Sequence, residues 1–273
     1  MIYPILTPEE AADYIQNGMN IGVSGFTIPG NVKVIPPAIA KKAIREHEAG
    51  REFKVNIYSG ASTNDYTDGE LSRAHALNYR TPYQSLPEVR NRINAGEVHY
   101  NDRHYGKMDV ALIEVQSITD DGEIVLGTAV GNSPTWLKLA DKVIIELNDQ
   151  IPESIKGLHD ILLPLDPPHR REIPIYSAHD RAGSIVAHVD PKKVLGVVKT
   201  SMPLGMPSKF SPVDEETAKI GKNVCDFLVS EMKNGRMPKT FLPIQSGVGN
   251  IANAVLNALE ESTDIPPFEM YTE

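Results

Sequence analysis

Three short stretches combine glycine with backbone or hydroxyl donors in a way that suits an anion. The first, Gln245-Ser246-Gly247-Val248-Gly249-Asn250-Ile251-Ala252-Asn253-Ala254-Val255, follows the strand-like Phe241-Leu242-Pro243-Ile244 and runs into a helix-like segment. Its spacing, Gly247-x-Gly249-x-x-Ala252, fits the dinucleotide fingerprint, and Glu269 and Glu273 lie 22 and 26 residues after Gly247, near where that motif places a ribose-binding acid. The spacing leaves three readings open. The turn can simply pack a helix on a strand; it can hold a pyrophosphate; or its free N–H groups can hold another anion, a phosphate or a developing oxyanion. Against the dinucleotide reading, the sequence ends before a second crossover could complete the nucleotide-binding unit. The other two stretches are Ser24-Gly25-Phe26-Thr27-Ile28-Pro29-Gly30-Asn31-Val32 and Ser59-Gly60-Ala61-Ser62-Thr63-Asn64-Asp65, each after a strand candidate. Either alone is ordinary turn chemistry, but three such loops at strand ends point to a shared crevice.

Other chemistries lack their residues. No His-x-x-x-His or paired-cysteine spacing reads as a metal site: His99 and His104 bracket Tyr100-Asn101-Asp102-Arg103, and His159-Asp160 follows Gly157-Leu158. No Gly-x-Ser-x-Gly elbow is present for a serine hydrolase. The one cysteine, Cys225, sits in an apolar helix-like setting and reads as a core thiol. The formal charge of -9 and the scattered basic residues exclude a phosphate-backbone footprint, so nucleic acid is not an expected partner. No basic leader precedes an apolar run and no stretch reaches 18 apolar residues, so neither a membrane nor export is expected, and a reducing cytoplasm is the expected compartment.

The elements that must position these loops alternate along the chain. Strand candidates are 20–24, 53–58, 109–115, 142–147, 194–199, 240–244 and the last residues from Glu269. Helix candidates are 37–49, 68–77, 87–95, 134–140, 214–234 and 250–261, preceded by a helix that Thr7, Pro8 and Glu10 cap and Gly18 ends. Such alternation predicts an α/β fold, an open, mostly parallel sheet with flanking helices. Pro and Gly thicken at Pro203-Leu204-Gly205-Met206-Pro207 and recur at Pro212, which places a boundary near Ser211 and predicts domains 1–210 and 211–273, the second incomplete.

Together these segments resemble the acetyl-CoA hydrolase/transferase family, a branch of the class I CoA-transferases that includes succinyl-CoA:acetate CoA-transferases. The resemblance is carried in chain order by Ser24–Pro36, Ser59–Thr63, Arg90–His104, Ala140–Asp149, Gly157–Ile161, Leu242–Leu259 and the terminal Tyr271-Thr272-Glu273. It departs at Val32, where relatives often carry proline, and in a short stretch from His104 to Asp109. It implies a CoA-transferase architecture. It also implies that the nicotinamide reading of the glycine turn gives way to an oxyanion site, and that the chain is the N-terminal part of an enzyme about as long again.

The resemblance further implies roles. Glu273 would be the nucleophile, the backbone N–H of Val248 part of an oxyanion hole, and Ser62 a group facing the acyl end of the substrate. Gly247, Gly249, Asn250, Gly25, Phe26 and Gly30 would wall the CoA-binding site. The expected reaction exchanges CoA between a short-chain acyl-CoA, such as succinyl-CoA or acetyl-CoA, and a free carboxylate such as acetate, with CoA thioester as substrate, no metal and no separate cofactor. Acetyl-CoA hydrolysis is the alternative, since water in place of a carboxylate would open the same intermediate; nothing in the sequence singles out a base to activate it. A silent CoA-binding fragment is another, because Glu273 is the final residue. The chain alone is expected to be inactive, and the full-length enzyme a homodimer. For a dicarboxylate acceptor the segment Lys199–Phe210 offers no arginine, only Lys199 and Lys209.

Overall fold

The structure, a computed structural model, describes residues 2–61, 64–81, 83, 85–100, 106–177, 179–204, 211–240, 244–247 and 249–268. The chain divides into two compact units, Met1–Ile173 with Arg181–Pro207, and Pro174–Asp180 with Ser208–Glu273.

Among the described residues the first unit is built on a sheet of nine strands. In chain order its elements are β1 (Ile5–Leu6), α1 (Pro8–Asp13), β2 (Asn20–Val23), α2 (Ile35–Glu48), β3 (Val55–Tyr58), a π turn (Asp65–Gly69) continuing into α3 (Glu70–Arg73), and β4 (Leu77–Thr81). Then come α4 (Pro87–Asn94), β5 (Met108–Ile118), β6 (Glu123–Leu126), α5 (Ser133–Leu139), β7 (Ala140–Asn148), β8 (Ala187–His188) and β9 (Val194–Thr200). The strand order is β1-β9-β7-β5-β2-β3-β4, every neighbouring pair along it parallel, while β6 and β8 extend β5 as an antiparallel flap. From β2 the chain steps outward to β3 and β4, then returns to the other side of β2 as β5. The strand order therefore reverses between β2 and β5, and a doubly wound sheet opens a crevice beyond the carboxyl ends of strands at such a point.

Alternation along the strands sorts side chains to two covered faces, as parallel sheets require. Val55, Ile57, Val110, Leu112, Ile144 and Val198 join the core under the first four helices. Ala111, Ile113, Val143, Ile145 and Val197 join Trp136 of α5 and the β6–β8 flap on the other face. The Trp136 indole lies so close to Gly22 that a Cβ there would sit 2.8 Å from its Cγ, and its Nε1 donates to Val23 O at 3.1 Å. Helix α1 carries the expected capping box, with Glu10 N donating to Thr7 Oγ1 at 3.1 Å and Thr7 N to Glu10 Oε2 at 2.8 Å.

Several boundaries differ from the sequence pattern. Helix α1 ends at Asp13, and Gly18 (φ 82°) serves the turn into β2 instead. The helix expected over 68–77 ends at Arg73, because the chain takes a left-handed bend at His75 (φ 53°) and Leu77 opens β4. Of the strand expected over 240–244, residues 241–243 lie outside the described residues, while Thr240 is in a turn and Ile244 in no strand. The strand expected from Glu269 lies outside them altogether.

In the second unit, α6 (Glu215–Lys233) packs on α7 (Asn250–Glu261). Asp214 caps α6 by accepting from Thr217 N at 2.8 Å. Cys225 is buried between the two helices with Val229 and Leu259, its thiol donating to Ala258 O at 3.4 Å. No helix among the described residues is long and apolar enough to cross a membrane.

Candidate active site

The loop after β2 holds three of the expected residues in one hydrogen-bonded bend. Gly25 (φ 103°) and Gly30 (φ 71°) take conformations that favour glycine, and Thr27 between them also bends left-handed at φ 55°. A side chain on Gly25 would collide with the Asn31 amide. That amide closes the loop, its Nδ2 donating to Thr27 O and Ile28 O at 2.7 Å each. Phe26 N donates to Pro29 O at 3.1 Å, and Phe26 is 49% exposed, an apolar residue offered at the strand ends.

The loop after β3 is braced against the first. Thr27 N donates to Ala61 O at 2.6 Å, and Gly60 comes so near Gly25 that a Cβ on it would lie 2.9 Å from Gly25 O. Two of the three glycine loops thus meet at the carboxyl ends of adjacent strands, β2 and β3. Beneath the second loop lies Arg80, fully buried, which donates to Asp68 through Nε at 2.6 Å and Nη2 at 3.2 Å, to Gly60 O at 3.3 Å, and to Thr81 O.

Beneath the first loop lies a larger charged cluster that sequence reasoning did not identify. Ser24 Oγ donates to Gly30 O at 2.8 Å and accepts from Glu114 N at 2.9 Å. Lys33 Nζ donates to Asn31 O at 2.8 Å and is ion-paired to Glu114 Oε1, both side chains being essentially solvent-free. Asn148 Nδ2 donates to the same Glu114 oxygen and to Met202 O, each at 2.9 Å, while Glu114 Oε2 has no hydrogen-bond partner among the described residues. Next to Glu114, on β7, Glu146 receives Lys33 N at 2.5 Å, Val34 N at 3.1 Å and Ile35 N at 3.2 Å, so its carboxylate closes the N-terminus of α2.

The electrostatics of Glu146 are set by competition. Burial disfavours its charge most, the three N–H groups favour it, and the Glu114 carboxylate opposes it again; burial wins, and the pKa is pushed up to about 7. A sequence signal for these groups existed. Glu114 interrupts Val110-Ala111-Leu112-Ile113 and Glu146 interrupts Val143-Ile144-Ile145, and a charge inside a strand covered on both faces must find partners there.

A cavity of about 360 Å³ opens at the carboxyl ends of β7 and β9, lined by Leu147, Asp149, Lys199, Thr200 and Ser201. Ser201 Oγ donates to Asp149 Oδ2 at 2.7 Å, and this hydrogen bond, with one from Gln150, holds the Asp149 carboxyl below its usual range.

The remaining expected residues belong to the second unit or lie outside the described residues. Gly249 (φ 138°) is the N-cap of α7, a Cβ on Gly247 would meet no described atom within 4 Å, and Asn250 is the first residue of α7, its Oδ1 accepting from Ser211 N at 3.1 Å. Ser62, Val248 and Glu273, the three residues expected to do the chemistry, are outside the described residues.

The family pattern described as acetyl-CoA hydrolase/transferase N-terminal domain matches residues 3–199. The chain is 42% identical to a protein of Escherichia coli named propanoyl-CoA:succinate CoA transferase, across 98% of this chain and 57% of that protein. It is 38% identical to succinyl-CoA:acetate CoA-transferase of Clostridium kluyveri, across 98% of this chain and 51% of that one. It is 36% identical to acetyl-CoA hydrolase of Schizosaccharomyces pombe, across 98% and 54%. The chain spans about half the length of these curated relatives. Among solved structures it shares its fold with RipA from Yersinia pestis, at a TM-score of 0.64 and 19% identity over 96% of this chain and 54% of that one. The acyl-CoA transferase YdiF of Escherichia coli O157:H7 aligns at 0.55 and 11% over 96% and 60%. A match across residues 3–199, with relatives this similar over nearly every residue, makes the chain a member of the acetyl-CoA hydrolase/transferase family.

Proposed function

We propose that the chain is the N-terminal part of a CoA-transferase that exchanges CoA between a short-chain acyl-CoA and a free carboxylate. Succinyl-CoA or acetyl-CoA would be the donor and acetate a typical acceptor. The observation that supports this reading is the pair of cross-braced loops at the carboxyl ends of β2 and β3, the first of them beside the point where the strand order reverses, in a chain whose relatives carry CoA-transferase names.

In this reading Glu273 is the nucleophile. A glutamate with an ordinary pKa of about 4.3 is already anionic at neutral pH and needs no base, unlike a serine hydroxyl. Its carboxylate attacks the thioester carbonyl carbon, the C–S bond breaks, and CoA leaves as thiolate from an acyl-glutamyl anhydride. The thiolate then attacks the glutamyl carbonyl of that anhydride, releasing the first acid as its carboxylate and leaving a glutamyl-CoA thioester. The incoming carboxylate reverses the sequence. Each addition places negative charge on a carbonyl oxygen, and the Val248 N–H would stabilise it; losing one such donor typically costs about 2.7–4 kcal/mol of barrier. Ser62 would face the acyl end, with Gly25, Phe26 and Gly30 walling one side and Gly247, Gly249 and Asn250 shaping the glycine turn. CoA thioester is substrate here, and no further cofactor is called for. We take the full-length protein to be a cytoplasmic homodimer, to be tested by fractionation and light scattering.

A second reading, hydrolysis of acetyl-CoA, is favoured by relatives that bear that name. Full-length enzyme incubated with acyl-CoA separates the two: loss of thioester that depends on added carboxylate supports transfer, and loss at the same rate without it supports hydrolysis. Borohydride reduction of the glutamyl thioester to an alcohol, followed by peptide mass analysis, marks the nucleophile. A mark on any carboxylate other than Glu273, or an active Glu273→Ala enzyme, would end the assignment.

A further inference from the structure

The loop after β2 carries an unfavourable bend, and the groups beneath it are charged and dry. A threonine at φ 55° is not held by its own preference, because a β-branched residue pays a steric cost in the left-handed region. Three kinds of contact oppose that cost. The Asn31 amide ties down the carbonyls of Thr27 and Ile28, Thr27 N reaches Ala61 O, and Ser24 Oγ holds Gly30 O. Asn31 has no freedom of its own, since Lys33 Nζ holds its carbonyl from below at 2.8 Å. The ammonium in turn cannot leave: it is 1% exposed and paired to a Glu114 side chain that is 0% exposed, and departure of either group would strand the other charge away from water. Glu114 is fixed from a third strand by Asn148, and its own backbone N–H is bonded to Ser24 Oγ at the start of the loop.

From this geometry we infer that Lys33 is a positioning residue of the crevice: its buried ammonium, locked by Glu114, holds the Asn31 carbonyl and thereby keeps the Ser24–Asn31 loop in its left-handed bends. The functional meaning of that loop rests on the reading that it walls an acyl-CoA site, but the placement itself is a property of this chain alone. Backbone amides inside the loop report it directly. Phe26 N and Thr27 N are both hydrogen-bonded within or across the loops, and exchange with solvent deuterium only when the loop opens. Ile21 and Val23 in β2, and Leu112 in β5, serve as references for the sheet below.

The test is hydrogen exchange by NMR on the 273-residue chain in three forms: parent, Lys33→Met, and Lys33→Met with Glu114→Met. The single variant leaves a buried carboxylate unpaired and loosens the fold as a whole; the double variant replaces the pair by apolar groups, an exchange that proteins often tolerate without loss of stability. If Lys33 positions the loop, Phe26 and Thr27 exchange about tenfold faster or more in the double variant while the β2 and β5 references keep parental rates. Parental protection of Phe26 and Thr27 in the double variant would overturn the inference. So would an equal acceleration of loop and reference amides, which would make the pair a general stabiliser. In the full-length enzyme the same double variant is expected to raise the KM for acyl-CoA more than it lowers kcat. Absence of any CoA exchange by the full-length parent would sink the proposed function and leave the exchange result standing.

Discussion

Glu146 should make the sheet unit lose stability as the medium turns from mildly acidic to neutral. Its carboxyl is raised from an ordinary 4.5 to about 7 in the fold, chiefly by burial. Between those values the native state keeps a proton that the unfolded chain has released, so the contribution is full below the unfolded pKa and vanishes as pH climbs through the folded one. A pKa difference of that size, at about 1.36 kcal/mol for each pH unit, amounts to about 3 kcal/mol, most of it falling between about pH 5 and pH 8. The perturbation is Glu146→Gln, which cannot titrate and turns one acceptor oxygen into an amide that faces the N–H groups of α2, a fixed cost of about 1–3 kcal/mol. The assay is urea unfolding across that pH range followed by the emission of Trp136, the single tryptophan, buried in the same unit. His159 acts in the opposite direction: burial holds its pKa below 6.5, so its contribution grows as pH rises toward that value. The informative quantity is therefore parent minus variant, in which His159 cancels. That difference should shrink by about 2–3 kcal/mol from the acidic to the basic end. Parallel profiles for the two proteins would refute the argument and show that Glu146 is ionised throughout.

Three further outcomes follow from the packing. Arg80→Met strands the Asp68 carboxylate in the core and should cost about 3–5 kcal/mol in denaturant unfolding; a loss under about 1 kcal/mol would mean that the pair has access to water. Gly22→Ala drives a methyl to 2.8 Å from the Trp136 ring and should cost about 1–3 kcal/mol with a shift in Trp136 emission, whereas unchanged stability and emission would contradict the close approach. In full-length enzyme, Lys199→Ala should raise the KM for a dicarboxylate acceptor about tenfold or more and leave a monocarboxylate unaffected, since a charge-assisted hydrogen bond is worth about 1.5–3 kcal/mol. Equal effects on both acceptors would remove Lys199 from distal-charge recognition.

How far the fold could be read depended on how local its causes are. The cap of α1 was legible because Thr7, Pro8 and Glu10 act within one turn, and α7 runs over Asn250–Glu261 as its pattern implied. The parallel sheet was legible from alternation alone. Strand β4 was not, because Leu71, Ala74 and Leu77 keep a helical spacing and only the left-handed His75 separates them. The β6–β8 flap was missed for a different reason: β8 contributes two residues to pairing, too few for any periodicity. At the candidate site, the glycine loops announced themselves through composition, whereas Lys33, Glu114 and the Glu146 and Asn148 of β7 lie far apart in sequence and have meaning only once β5 and β7 lie side by side. Charged residues ordinarily read as solvent-facing, and the apolar runs around the two glutamates were the counter-signal.

Glu114 and Glu146 are direct partners in the β5–β7 ladder, two acidic side chains next to each other on one face of a buried sheet, which would repel each other when both are ionised. That pairing is unfavourable in itself and is tolerable only where Lys33 and the free N–H groups opening α2 stand opposite. Strands as apolar as these would otherwise slide past each other at little cost, and a shift of one residue turns each side chain to the other face. In a shifted strand the carboxylate would emerge among the aromatic and aliphatic groups around Trp136, away from the lysine and the α2 N-terminus. By that argument the native register, with Glu114 opposite Glu146, is the one in which both carboxyl groups meet their partners, and a one-residue shift is expected to cost more here than between purely apolar strands.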